Sequence, residues 1–587
     1  MKRIFKNPVL ILLTAAMLFN SCEEWLDINT SKDQPVTVTP EQSLPLIVFF
    51  ASQICYDHAE YGNYLAQALT TGGRSQTGAF AYKSGWEMLS MNRHPQWRRH
   101  FYDIGVNANA LIDAATKLGS LNFVLIARTI KLHSTLLTTD AFGDIPHSQV
   151  YLSNSPSYDT QESIYQWMYK EVDELLRLYD DPTWVNNPSN KTITKTMDRI
   201  FAGDLGKWRA FTKALKARMM LRKLPNWDNT PQSCDAIIAA VDAALSDPSY
   251  ADAIYKYDGG STEKNCPWGP AQPKLNLGWA QARENLFTEA IPSRFFMYAL
   301  LGSYPNIRVS RGHALDPRAV ELMSPRTDDK SLVIFRHLEN NFGMPATMRI
   351  TYYPDMYAGN GRNPYTRNDG YVMLMSEEEL LFIKAEAQYW KGDKTSAYNT
   401  TVNAVRRNMT RVGVTTDNPN RVTYFNKFFE IKLPGAAVFT IADLMQQKYV
   451  AMYLQPELWT DVRRYNYSSK TNGIAYDGVF VYTVTNCHDG TNGVLPANFK
   501  LEYSLTRPYN LYEPYWNTPA EFGINARFSP NAWITRLNYD PETEDKYNRR
   551  ELERLGAYKN PDWLKKRMIW AYKNNNFVTV ADQTAWK

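Results

Sequence analysis

The chain has 587 residues, 44% of them hydrophobic, with 65 Lys and Arg against 60 Asp and Glu. So small a charge excess over so long a chain excludes the basic footprint of a nucleic-acid or anionic-lipid binder. The unusual figure is aromatic content: 13%, with 37 tyrosines and 16 tryptophans, more than a core alone requires.

The N-terminus reads as an export and anchoring signal. Lys2, Arg3 and Lys6 form a positive n-region, followed by the uninterrupted apolar run VLILLTAAMLF at 9–19. That run is shorter than the about 20 residues needed to span a bilayer, so it reads as a signal peptide. Ser21 then precedes Cys22, the small-residue-then-thiol order that a lipoprotein signal peptidase uses, although Phe19 stands where a branched apolar residue is usual. The expectation is a signal peptide over 1–21, lipidation at Cys22, a polar tether over 22–40 and one body over 41–587. Without residues 1–21 the charge balance is 62 to 60, or +2.

Along the body, apolar residues recur at helical spacing over 46–69, 101–118, 122–137, 161–179, 207–223 and 233–245. The pattern returns over 377–390, 395–411, 441–454 and 457–465. Ser376 with Glu379 forms a capping box, and Gly392 is a stop signal before Asp393 and Lys394 open the next helix after a very short turn. Pro456 begins a helix where its missing N–H costs nothing. Near 250–370 and 467–560 the pattern dissolves into Gly, Pro, Asn and aromatic residues, with short β-like runs such as 479–485. The predicted fold is all-α: a tetratricopeptide-like helix-pair solenoid with long irregular loop excursions and minor β, although no repeat signature is readable.

Catalytic and metal constellations are absent from the sequence. The eight histidines are scattered without H-E-x-x-H or paired spacing, and no G-x-S-x-G elbow occurs. GRSQTGAF at 73–80 has two glycines of a phosphate loop, but Ala79 stands where Lys is required. Glu377, Glu378 and Glu379 read as solvated capping acids at a helix start rather than as a glycosidase pair. No catalytic residue, metal or cofactor is expected. Besides Cys22, the thiols Cys55, Cys234, Cys266 and Cys487 allow three disulfide pairings or none.

Several stretches in order carry a family resemblance. SCEEWLDINT at 21–30 is followed by LP at 44–45. Trp97, Tyr102, Ile104 and Asn109 fall in a W-x₄-Y-x₂-I-x₄-N helix, and TTDAFGDIPHSQ occupies 138–149. GDLGKWRAFTKALKARMMLR at 203–222 is the most specific match. EEELLFIKAEAQYWKGD (377–393), LWTDVRRYNY (458–467) and RLNYDPETEDKYN (536–548) complete the set, the last with an extra residue between Tyr539 and Pro541. In these features the chain resembles the SusD/RagB family of Bacteroidetes nutrient-binding outer-membrane lipoproteins. The resemblance implies a helical fold on tetratricopeptide-like units. It also implies a surface lipoprotein that caps a TonB-dependent transporter and delivers oligosaccharides or, in some members, peptides.

Most of the matched residues nevertheless read as core. Trp97, Phe101, Ile104 and Ala108 share a helical face, as do Trp208, Phe211, Leu215 and Met219, with Lys207, Arg209 and Lys213 on the wet side. Gly143 permits a turn, Asp144 is expected to bond local N–H groups, and Arg463 and Arg464 are expected to clamp carboxylates or carbonyls between helices, with an acidic partner surface as the alternative role. A sugar site wants exposed rings beside amide and guanidinium donors. Two non-helical segments offer these: Arg74, Gln76, Phe80, Tyr82 and Trp86 in one, and Asn265, Trp268 and Trp279 in the other. The predicted ligand is an oligosaccharide held on these residues, with peptide as the alternative. A surface scaffold or a glycoside hydrolase is the rival class.

Overall fold

The computed structural model describes residues 39–71, 86, 94–261, 263–270, 290–301, 316–325, 354–356, 363–417, 419–467, 478–485, 500–505 and 533–571. The first helix, α1 (Pro40–Leu65), starts within the last residue of the expected tether. Proline at its first position wastes no hydrogen bond, and the Gln42 side chain accepts from the Thr39 N–H at 3.1 Å. A π-helical segment, Arg99–Val106, runs directly into α2 (Asn107–Leu118). Next come α3 (Leu121–Phe142), α4 (Gln161–Tyr179), α5 (Leu205–Leu221) and α6 (Pro231–Leu245). The C-terminal half adds α7 (Arg294–Leu301), α8 (Glu377–Lys391), α9 (Lys394–Arg411), α10 (Pro419–Lys432), α11 (Ile441–Ala451) and α12 (Glu457–Arg464).

Successive helices pack side by side: α2 on α3, α3 on α4, α4 on α5, α5 on α6, then α6 on α8 and α8 on α9. This is the expected helix-pair array, and α1 crosses it to meet α3 and α12. Helix starts are fixed locally by side-chain caps. The Thr160 hydroxyl accepts from Ser163 N–H, the Asp204 carboxylate from Lys207 N–H and the Asp393 carboxylate from Ser396 N–H. α3 is buried on nearly every side and forms the axis of the core. It stops at Gly143, whose φ of +85° suits glycine, and an added Cβ would come within 2.7 Å of Arg536 Nη1.

Strands are few and short. β1 (Leu69–Thr71) pairs with β3 (Ala290–Pro292), β2 (Ala253–Lys256) with β4 (Tyr371–Met375), and β5 (Val481–Thr485) with β6 (Lys500–Ser504), all antiparallel. The first loop-rich excursion is therefore pinned by two small ladders, whereas the β5–β6 ladder closes within the second. Among the described residues no helix is long and apolar enough to cross a membrane.

The core stripes fall where the periodicity put them: Trp97, Phe101, Ile104, Ala108, Trp208, Phe211, Leu215 and Met219 are all buried. Beneath them lies a set of buried charges. Arg218 on α5 donates to both Glu379 carboxylate oxygens at 2.7 Å. Arg222 bridges Asp140 at 2.9 Å and Glu457 at 2.8 Å. Arg464 forks onto Glu386 at 2.7 and 2.8 Å and reaches Asp461 at 2.6 Å. Arg463 donates to the carbonyls of Asp140 and Thr535 at 2.6 and 2.9 Å, so both arginines clamp elements together as expected. The pairs fix α3, α5, α8 and α12 relative to one another, because a buried charge tolerates only the geometry that pairs it.

Three expectations are corrected: the solvated acids, the capping box and the local bonding of Asp144. Glu378 and Glu379 are not solvated: both are buried, Glu378 against Arg411 and Glu379 against Arg218. Ser376 does cap Glu379 N–H at 3.3 Å, but the Glu379 carboxylate is committed to the arginine and cannot close the box. Asp144 makes no local turn; it accepts from Gln161 N–H at 2.9 Å and so holds the start of α4 on the end of α3. Arg209 and Lys213, on the expected wet side, converge on Asp247 at 3.0 and 2.8 Å and tie α5 to the end of α6. Cys55, Cys234 and Cys266 are free buried thiols, and burial pushes Cys266 up to about 12. Cys487 lies outside the described residues.

Candidate ligand surface

The two segments expected to hold a ligand spring from one place. β1 ends at Thr71, where the first segment begins, and β3 opens at Ala290, just after the second. Thr71 and Ala290 are direct partners in the ladder, with Thr70 opposite Ile291 and Leu69 opposite Pro292. The ladder is anchored below. Ser293 N–H donates to the Ala68 carbonyl at 3.2 Å, and the Ser293 hydroxyl donates to the Gln67 carbonyl. Tyr449 of α11 donates to the Ala66 carbonyl at 2.9 Å, and Asn63 Oδ1 accepts from Leu454 N–H at 3.1 Å.

The roots of both segments also rest on α1. Trp86 donates from its indole to the Tyr64 carbonyl at 3.4 Å and packs against Tyr467 and Trp533, whose rings stack at 4.4 Å and 8°. Trp268 meets Tyr56 edge-on at 4.5 Å. Tyr257, just upstream, shares hydrogen bonds with Ser52 at 2.9 Å and Gln53 at 2.7 Å. Tyr56 and Tyr64 lie eight residues apart on α1, roughly 12 Å along its axis. The C-terminal half of α1 thus collects both roots.

These contacts correct part of the expected site. Trp86 and Trp268 are each 1% exposed, and Asn265 is buried as well. Rings so fully buried, one packed against the Tyr467–Trp533 stack and the other against Tyr56, have no face to offer a sugar. Trp86 and Trp268 are footings of the segments. The remaining expected residues, Arg74, Gln76, Phe80, Tyr82 and Trp279, lie outside the described residues, as does GRSQTGAF at 73–80.

The footing is conformationally unusual. Gln67, Trp86, Leu454, Asn466 and Tyr467 all have positive φ without being glycine. Each such residue costs on the order of 1–3 kcal/mol unless its surroundings fix it, and such strain gathers at functional sites. Little in the sequence marks these positions, since none is a glycine and only Asn466 is of a type that tolerates a left-handed backbone.

Comparison with known proteins bears on this arrangement. Among functionally curated proteins none matches in sequence. A SusD/RagB family protein from Bacteroides thetaiotaomicron superposes with a TM-score of 0.58 at 18% identity, covering 91% of this chain and 99% of that one. A SusD homolog from Parabacteroides distasonis gives 0.58 at 19%, covering 92% and 99%. A structure described as a chitin-binding SusD homolog from Flavobacterium johnsoniae gives 0.58 at 14%, covering 92% and 100%. At these identities the likeness is one of fold. Residues 37–478 match the family model SusD-like_2, described as starch-binding and associating with the outer membrane. Since that match takes in most of the chain, including the helix array, the β1–β3 ladder and both segment roots, the protein belongs to the SusD-like family.

Proposed function

We propose that this chain is a lipid-anchored protein of the outer cell surface that captures an oligosaccharide and passes it to a TonB-dependent outer-membrane transporter. The observation that supports the ligand reading is the pairing of Thr71 with Ala290, which brings the roots of the two ring- and donor-bearing segments together. Arg74, Gln76, Phe80, Tyr82 and Trp279 then supply guanidinium, amide and aromatic groups to one ligand, the chemistry that a polyhydroxylated ring with apolar faces requires. The family description supports the carbohydrate class and the outer membrane. Cys22, followed by Glu23 and Glu24, supports lipidation and surface export, and the polar stretch up to Thr39 supports a hinged attachment to the partner.

Binding without catalysis is the economical reading. The acidic run most suggestive of a glycosidase is engaged elsewhere, with Glu378 and Glu379 held by arginines inside the core. An inert scaffold would not need two long segments rooted together on strained backbone. The test is alanine substitution at Phe80, Tyr82 and Trp279, one at a time, with titration of maltoheptaose and chitohexaose into the full-length protein. A true contact weakens binding by about 1–3 kcal/mol while thermal unfolding stays in place. Unchanged affinity in all three variants would remove these segments from the site.

A further inference from the structure

A second depression shares no residue with the ladder. α2 contributes Asn109 and Asp113, α3 Arg128 and Lys131, and α4 Trp167 and Glu171, to a cavity of about 460 Å³. Spacings of three and four put each pair on one face of its helix. The size falls within the about 300–1,000 Å³ typical of small-molecule sites.

Its lining is fixed before any ligand arrives. Lys131 Nζ donates to Asn109 Oδ1 at 2.5 Å, and Arg128 forks onto Glu171 at 2.8 and 2.9 Å. His147 packs on the Trp167 ring with centroids 4.2 Å apart. Burial holds Lys131 below the ordinary lysine range. Two cations face two carboxylates, so the cavity favours neither an anion nor a cation. Anchored donors and acceptors beside a half-buried indole suit a neutral, hydroxyl-rich molecule.

The same helix face continues beyond the cavity. Val106 and Tyr102 stand one and two turns before Asn109, and Tyr102 is 58% exposed. The exposed Tyr151 reaches the backbone of the residue next to Tyr102. Its backbone sits at φ +68°, and its hydroxyl donates to the Phe101 carbonyl at 2.6 Å. Gly105 makes room for it: an added Cβ there would lie 1.7 Å from the Tyr151 hydroxyl. The π-helical winding of Arg99–Val106 and the strained tyrosine coincide here, and both features recur at functional sites. The exposed rings thus lead in a strip along the helix onto the fixed polar groups and the indole of the cavity.

We propose that this strip is a second saccharide site, taking a short neutral oligosaccharide with one residue in the Trp167 cavity and the chain passing over Tyr102 and Tyr151. It rests on the reading of the protein as a carbohydrate binder but uses none of the ladder segments. The experiment is fluorine NMR on the full-length protein labelled with 5-fluorotryptophan, titrated with maltotriose and with chitotriose. Loss of one signal in Trp167→Phe assigns that resonance. The expected result is a saturable shift of the Trp167 signal that persists in Trp279→Ala and needs about three- to tenfold more sugar in Asn109→Ala. A Trp167 signal that stays still while other tryptophans move would overturn the second site and leave the proposed function standing. No tryptophan moving with either sugar would overturn the second site and count against the carbohydrate reading too.

Discussion

Thr71 and Ala290, far apart in the chain, face each other across the β1–β3 ladder, so the chain leaves for the first ring-bearing segment and returns from the second at one place. The ladder is backed by α11 and by the start of α7, so the spacing of the two segment roots is set by packed elements rather than by the segments themselves.

Trp86 and Trp268 are footings, and alanine there should act on stability first. Each large buried ring lost costs about 3–5 kcal/mol. Urea midpoints of Trp86→Ala and Trp268→Ala should therefore fall well below that of the unaltered protein, with any loss of binding tracking the unfolded fraction. Midpoints left in place with affinity lost would return these rings to the ligand site.

Arg218 and Glu379 should behave as a buried pair. Arg218→Leu leaves the Glu379 carboxylate without its fork and is expected to cost about 3–5 kcal/mol in chemical unfolding. Adding Glu379→Leu should recover a large part of that loss, because no charge is then stranded. A double variant that loses as much as the sum of the singles would show that the two do not act as a pair.

How much of this was legible beforehand follows from what kind of signal each feature leaves. Helices such as 161–179 and 377–391 announce themselves by 3.6-residue periodicity and by caps at Thr160 and Ser376, because both are local. The arginine clamp at 463 and 464 was readable as a role, while its partners Asp140, Thr535 and Glu386 come from distant parts of the chain. Glu378 and Glu379 looked solvated because the cations that bury them, Arg411 and Arg218, lie on other helices. Trp86 misled for the same reason: nothing around it in sequence reveals Tyr467 and Trp533. Tyr102 entered only as a position of the W-x₄-Y-x₂-I-x₄-N helix, and the positive φ of Tyr151 leaves no trace in composition. The π-helical winding and α10 were likewise missed, since a wider turn or a weakly periodic helix has no distinct residue pattern.

Acid should destabilise the fold over a defined window. Burial lowers His58 to about 4 and His94, His100 and His133 to about 3. A histidine depressed in the folded state is neutral there while the unfolded chain takes up protons near pH 6.5, so its contribution is full above that pH and falls as pH drops toward the folded value. Each should cost on the order of 1 kcal/mol by pH 5.5. Unfolding free energy measured from pH 7.5 to 5 should decline accordingly. His94→Gln and His133→Gln should flatten the slope, and a pH-independent midpoint would contradict the assignment.

Cys22 should carry the membrane anchor. Cys22→Ala is expected to move the protein into the soluble fraction and to abolish metabolic labelling with a fatty acid, while the unaltered protein co-purifies in mild detergent with a TonB-dependent barrel. Continued acylation of the variant would remove Cys22 from the role, and recovery of the free lipoprotein alone would count against the barrel as partner.

The most direct test of the central claim is a combined glycan and peptide array probed with the full-length protein. The account predicts saturable binding to a set of related neutral glycans, lost in a variant with alanine at Phe80, Tyr82 and Trp279, and no binding to peptides. Saturable binding to peptides with every glycan silent would contradict it.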